Sequence, residues 1–228
     1  MLSVYGNSRY KSVIKTTGKG MEFRENLKAT RIVPVIVIKQ LGHAVPLAKA
    51  LVEGGLNILE ITLRTDAALE AIQAISAEVP GAIVGAGTVL NAQQFVDAAS
   101  AGAKFVVSPG LTEEVVRASR DHLVPILPGV ATASEIMLGL SLGLNTFKFF
   151  PAETVGGAPA IKALGGPFPQ VSFCPTGGIS AKNLSSYLSL PNVICAGGSW
   201  MVPSDLNEED AFTRATQMAR EARSLATA

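Results

Sequence analysis

Lys148 lies within Thr146-Phe147-Lys148-Phe149-Phe150-Pro151, an aromatic run with the composition of a buried β-strand. Burying an unpaired ammonium group is costly and tends to depress its pKa. A lysine brought toward neutrality offers a free amine, and a free amine attacks ketones to form a Schiff base. The competing possibility is a lysine at a strand end that snorkels to solvent. Two more charges, Glu60 and Arg64, sit in Ile58-Leu59-Glu60-Ile61-Thr62-Leu63-Arg64. Strand alternation places Ile58, Glu60, Thr62 and Arg64 on one face and Leu59, Ile61 and Leu63 on the other. The apolar set suits packing against helices, so the charged set is expected to point inward. By the same parity Phe147 and Phe149 face helices, while Thr146, Lys148 and Phe150 face inward. In a closed barrel these runs would bring together a candidate nucleophile (Lys148), a candidate general acid/base (Glu60) and a candidate clamp for a substrate carboxylate (Arg64). The competing possibility is that Glu60 and Arg64 form an ion pair that only fills the interior.

Two glycine-rich turns suit an anion. Pro175-Thr176-Gly177-Gly178 ends one apolar run and Gly197-Gly198-Ser199 ends the next. Glycine lets backbone N–H groups approach closely, and the loops after the seventh and eighth strands of α/β barrels often cradle phosphate. Ordinary tight turns are the alternative. Gly85-Ala86-Gly87-Thr88 can present Thr88 to a carboxylate or carbonyl oxygen, and Ser108-Pro109-Gly110 and Pro128-Gly129 can shape a rim. Each of these also serves as a plain turn.

The elements that must position these groups repeat along the chain. Apolar β-prone runs begin at Ile32, Ile58, Ala82, Lys104, Val124, Thr146, Ser172 and Val193, 20 to 26 residues apart. That spacing fits a strand, a crossover helix and two short loops. Helical periodicity fills the gaps over His43–Glu53, Asp66–Glu78, Asn91–Ala101, Thr112–Asp121 and Ser134–Leu142. Asn91, Thr112 and Ser134 are candidate N-caps, and Gly102 and Gly143 candidate stops. Eight alternating units predict a single-domain parallel (β/α)8 barrel over residues 21–228. A doubly wound open sheet would normally carry a glycine-rich turn after its first strand, where this chain has Lys39-Gln40-Leu41. After Pro203 a last helix is expected, with Asp205–Asp210 near its start and Arg214, Arg220 and Arg223 toward its end, matching the helix dipole.

Composition bounds the function. Of 228 residues, 48% are hydrophobic and 16% charged, as in a well-buried globular protein. A net charge of +1 gives no support for nucleic-acid or membrane-surface binding, and no apolar run reaches the ~18 residues of a membrane span. Cys174 and Cys195 both lie in apolar runs, which points to buried thiols in a reducing compartment rather than a disulfide framework. His43 and His122 lack the spacing of zinc ligands and are expected at the surface or at helix ends. Residues 1–20 hold Arg9, Lys11, Lys15 and Lys19 and no acid, so the rest of the chain carries −3. They lack the apolar core of a secretory signal and are expected to form a basic extension without stable order.

Seven motifs, PVIVIK (34–39), LEITLRT (59–65), VGAGTVL (84–90), SPGLT (108–112), FKFFPAE (147–153), FCPTGGI (173–179) and GGSW (197–200), together resemble the bacterial 2-keto-3-deoxy-6-phosphogluconate (KDPG) aldolases. These also act as 4-hydroxy-2-oxoglutarate (KHG) aldolases. The similarity runs from about Arg31 to Pro203 and leaves out the first twenty residues. It implies a class I aldolase in which Lys148 forms the Schiff base and Glu60 moves protons. Arg64 and Thr88 would engage the pyruvate carboxylate. Thr176, Gly177, Gly178 and Ser199 would receive the distal phosphate, with Phe150 and Pro109 lining the pocket. The resemblance further implies a 2-keto acid substrate bearing a distal phosphate, no cofactor, no metal, and a homotrimer in the cytoplasm. A sugar-phosphate isomerase that uses Glu60 as a base, or a non-catalytic sugar-phosphate binding protein, would need no covalent role for Lys148.

Overall fold

The computed structural model describes residues 18–227. Strands and helices alternate: α1 (Gly18–Thr30), β1 (Ile32–Ile36), α2 (Ala44–Glu53), β2 (Ile58–Thr62), α3 (Ala68–Glu78), β3 (Ile83–Gly87), α4 (Ala92–Ser100), β4 (Val106–Ser108), α5 (Glu113–His122), β5 (Ile126–Val130), α6 (Ala133–Ser141), β6 (Thr146–Phe149), α7 (Gly157–Leu164), β7 (Ser172–Pro175), α8 (Leu184–Leu188), β8 (Ala196–Gly198) and α9 (Ala211–Thr227). The parallel sheet runs in the order β7-β6-β5-β4-β3-β2-β1-β8. Bridges at Phe173–Val193 and Thr176–Gly197 join its two edges, making the (β/α)8 barrel expected from the eight runs. The last run is used differently from the others: Val193 makes only a bridge, and regular pairing with β1 begins at Ala196.

Side-chain alternation sorts the core into two shells. Leu59 and Ile61 of β2, and Phe147 and Phe149 of β6, pack outward among the helices. Val33, Ile58, Val107, Leu127, Cys174, Ile194 and Cys195 form a separate cluster inside the barrel. Two residues of α1, Phe23 and Leu27, belong to this inner cluster, and the Phe23 ring stacks on Phe105 with centroids 4.7 Å apart. Helix α1 therefore plugs the end of the barrel opposite the C-terminal strand ends. The expected extension over residues 1–20 lies outside the described residues as far as residue 17, and Gly18–Gly20 already belong to α1.

Helix starts follow local chemistry. Asn91 accepts a hydrogen bond from the Gln94 N–H at 2.9 Å, and Thr112 accepts one from Val115 at 3.4 Å. Helix α6 is capped by Thr132 rather than Ser134. Its hydroxyl accepts from the Glu135 N–H while the Glu135 carboxylate accepts from the Thr132 N–H at 2.8 Å. This reciprocal capping box needs a Glu three residues after the cap, which Thr132 has and Ser134 lacks. Gly102 and Gly143 follow their helices with φ of 101° and 75°, as a glycine stop requires. The arginines of α9 do not serve the helix dipole. Arg214 lies in the first turn and pairs with Glu208 and Asp210, Arg220 pairs with Glu53 of α2, and Arg223 donates to the Ala29 and Thr30 carbonyls at the end of α1. For Arg220 and Arg223, tertiary partners outcompete the weaker dipole attraction, and Arg214 lies at the wrong end of the helix for it.

Both cysteines are buried free thiols. Burial pushes the Cys195 thiol well up, and the adjacent Cys174 adds to the shift against a smaller opposing pull from Arg31. His122 is the exposed last residue of α5, and His43 ends a single 3-10 turn at Leu41–His43.

Candidate active site

Barrel closure brings β2 and β6 opposite one another. Lys148 lies in register with Gly129 on β5 and Cys174 on β7, and Glu60 with Val35 on β1 and Gly85 on β3. The Lys148 ammonium donates to Glu60 Oε1 across the interior at 3.3 Å. Lys148 is 6% exposed and Glu60 3%, so the lysine does not snorkel to solvent. Glu60 takes Lys148, not Arg64, as its partner. A buried ion pair is a poor way to stabilise a fold, because desolvation offsets most of the attraction. The other ion pairs among the described residues involve exposed or half-exposed side chains. The location of this pair therefore points to chemistry.

The surroundings hold both groups in place. The Lys148 ammonium lies 5.2 Å from the centroid of the Phe150 ring, within cation–π range. Glu60 rests on the backbone of Gly87, where a Cβ would overlap its carboxylate. The hydroxyls of Thr62 and Thr65 donate to the carbonyls of Ile36 at 3.0 Å and Ile38 at 2.5 Å, tying the top of β2 to β1.

Arg64 departs from the expected position. Strand β2 ends at Thr62, the Arg64 N–H turns back to the Thr62 carbonyl, and strand alternation no longer governs the side chain. Arg64 is exposed at the rim rather than inside the barrel, and its Nε donates to the Thr88 hydroxyl at 3.3 Å. Thr88 has φ of 61°, a left-handed conformation that disfavours β-branched residues. Such strain is typical of functional turns. Arg64 and Thr88 thus form a polar pair above Gly87, next to the Lys148–Glu60 pair that Gly87 supports.

The other sequence-derived residues ring the same end. Pro109 follows β4, its carbonyl crowding Gly129 at a separation that leaves no room for a Cβ, while the Ser108 hydroxyl closes the turn onto the Gly110 carbonyl at 2.6 Å. Thr176 is buried and bridges to Gly197. Gly177 and Gly178 have φ of 99° and 78°, conformations that glycine alone adopts readily. Ser199 is exposed directly after β8. Sequence reasoning did not single out Gly87 as the seat of Glu60. Its signal was parity, since Gly85 and Gly87 share the inward face of β3. Asn183, whose Nδ2 donates to the Gly178 carbonyl at 3.0 Å, was also missed, and no local pattern marked it. Among the described residues, no cluster of three or more His, Cys, Asp or Glu side chains forms a metal-ligand set, and no helix is long and apolar enough to cross a membrane.

Residues 23–218 match the family described as KDPG and KHG aldolase. The chain is 58% identical over 191 residues to the KHG/KDPG aldolase of Escherichia coli K12, covering 84% of this chain and 90% of that one. Among solved structures it resembles the KDPG aldolase of Zymomonas mobilis ZM4 with 3-phosphoglycerate, at a TM-score of 0.85 and 48% identity over 90% of this chain and 97% of that one. It also resembles the KDPG aldolase of Legionella pneumophila with pyruvate captured at low pH as a covalent carbinolamine intermediate, at a TM-score of 0.84 and 47% identity over 87% and 96%.

Proposed function

Because this chain belongs to the KDPG and KHG aldolase family, we propose that it is a class I aldolase cleaving KDPG to pyruvate and glyceraldehyde 3-phosphate, and KHG to pyruvate and glyoxylate. The observation that carries this function is the buried Lys148–Glu60 contact at the catalytic end of the barrel. The Glu60 carboxylate is a base to which the Lys148 ammonium can lose a proton, leaving the free amine. Lys148 Nζ then attacks the substrate C2 ketone, forming a carbinolamine. Glu60 delivers that proton to the carbinolamine hydroxyl, and loss of water leaves an iminium ion on Lys148 with Glu60 a carboxylate again. Its positive charge falls where the Glu60 carboxylate and the Phe150 ring already favour a cation. The iminium draws the electrons of the C3–C4 bond as Glu60, directly or through water, removes the C4 hydroxyl proton. The aldehyde leaves, Glu60 helps return a proton to the enamine, and hydrolysis frees pyruvate and the lysine.

In this scheme the Arg64–Thr88 pair holds the pyruvate carboxylate, and Pro109 and Phe150 wall the pocket. The turn Thr176-Gly177-Gly178 and Ser199 receive the distal phosphate. The glycine conformations and the Thr176–Gly197 bridge, which sets the two turns side by side, support that assignment. The enzyme would work without a metal, as a homotrimer in the cytoplasm.

Borohydride trapping with pyruvate in the presence of a chelator tests the chemistry, with peptide mass analysis to find the adduct. A pyruvyl adduct on Lys148 is expected, and Lys148→Ala should lower turnover at least about 10³-fold. Absence of any adduct, or full activity in Lys148→Ala, overturns the mechanism. Loss of trapping on chelation overturns metal independence, and light scattering checks the trimer.

A further inference from the structure

The turn after β7 is held through its carbonyls. The Ala152 N–H donates to the Thr176 carbonyl at 2.8 Å and the Glu153 N–H to the Gly177 carbonyl at 3.1 Å. Asn183 Nδ2 donates to the Gly178 carbonyl at 3.0 Å. A peptide plane carries its C=O and the following N–H in opposite directions. Pinning three successive carbonyls therefore turns the N–H groups of Gly177, Gly178 and Ile179 away from the groups that pin them. Two of the three clamps are main-chain groups on the segment that continues from β6, so the strand bearing Lys148 and the anion turn share one framework. The third clamp is a side chain.

Asn183 is itself fixed at both ends. Its Oδ1 accepts from the Ser180 N–H at 2.8 Å while its amide group reaches Gly178, so residues 178–183 close on themselves. Gly178 has a second wall, since a Cβ there would lie 2.8 Å from Glu153 Cβ. The Glu153 carboxylate is anchored in turn by the Tyr187 hydroxyl, whose proton is retained because burial and the neighbouring carboxylate both push the phenol pKa up.

We infer that Asn183 is a positioning residue for the distal phosphate: by holding the Gly178 carbonyl it aims the Ile179 N–H, completing the set that the two main-chain clamps begin, and so raises the preference for a phosphorylated over a short keto acid substrate. This rests on the assignment of the turns after β7 and β8 as the phosphate site. KHG carries no phosphate and shares the Lys148–Glu60 centre, so it serves as an internal control for folding and chemistry.

Steady-state kinetics of Asn183→Ala on KDPG and KHG, measured side by side, test the inference. The KM for KDPG is expected to rise about tenfold, with kcat for KDPG and both constants for KHG within about twofold of wild type. Asn183→Asp keeps an acceptor for the Ser180 N–H but loses the donor to Gly178, and should also raise the KM for KDPG. An unchanged KM for KDPG in Asn183→Ala, or an equal loss on both substrates, overturns the positioning role. Ser199→Glu, which puts a carboxylate beside the turn, separates the two levels. If it fails to raise the KM for KDPG selectively, the phosphate assignment falls and the role of Asn183 with it. If it does so while Asn183→Ala does not, only the role of Asn183 falls.

Discussion

The two ends of this barrel are made from the same strands by the same alternation, yet they do opposite work. At the end plugged by α1, inward positions are mainly apolar and touch: Phe23 stacks on Phe105, Phe105 fills the space a side chain on Gly85 would need, and the buried Ser172 hydroxyl accepts from Arg24 of α1 at 2.9 Å. At the other end, two residues further along β3, Gly87 leaves its space to the Glu60 carboxylate. Closing one end with a helix supplies packing that the open, polar end cannot. Stability is thereby concentrated away from the site, and a buried ion pair that contributes little to folding can be kept for its chemistry.

Substitutions at the two ends should therefore separate activity from stability. The largest effect is expected from Glu60→Gln: turnover falls about 10²–10⁴-fold, while borohydride still traps pyruvate on Lys148, more slowly than in the wild type. Wild-type turnover in that variant would remove Glu60 from its role. At the plug, Phe23→Ala should cost about 3 kcal/mol, read as a lower denaturation midpoint, with turnover per folded molecule within about twofold of wild type. A collapse of turnover there would mean that the two ends are not independent.

The sharpest pair lies on β3. Gly85→Ala places a Cβ 2.5 Å from the Phe105 ring and should cost about 1–3 kcal/mol of stability with turnover retained. Gly87→Ala pushes into Glu60 and should lower turnover about tenfold or more, a larger change in barrier than in stability. Equal effects of the two on both measurements would erase the distinction between the ends.

The smallest effect lies on the outer wall, at Glu135. Burial pushes this carboxyl up, but hydrogen bonds from the Ala131 N–H and from the Thr132 hydroxyl and N–H outweigh it and hold the pKa below the ordinary carboxylate value. A depressed folded-state pKa contributes stability above the unfolded-state value, and that contribution is lost as pH falls through the folded value. Glu135→Gln should thus lower stability by less than about 1 kcal/mol at neutral pH, a difference that disappears in acid denaturation curves below the carboxylate range. A difference that grows on acidification would contradict the capping box.

Much of this was legible in the chain. Inward placement of Lys148 and Glu60 followed from period-two alternation alone, which holds as long as a residue lies within its strand. Arg64 shows where that rule stops: it lies two residues past the end of β2, and the turn moved it to the rim. The cap of α6 was readable in principle, since Thr132 and Glu135 have the spacing of a capping box, but Ser134 offered a competing cap. Arg220 and Arg223 were assigned to the helix dipole because their partners, Glu53 and the end of α1, are more than 160 residues away in the chain.

By itself the sequence determined the repeat of strand and helix, the direction each strand side chain faces and the glycines that terminate the helices, because these depend on neighbours a few residues apart. Only the tertiary structure decided that Lys148 finds Glu60 rather than water, that α1 plugs the opposite end and that Asn183 reaches back to Gly178. The first two contacts join segments distant in the chain, and the third depends on how the β7–α8 loop folds back. None of the three is encoded in a local pattern.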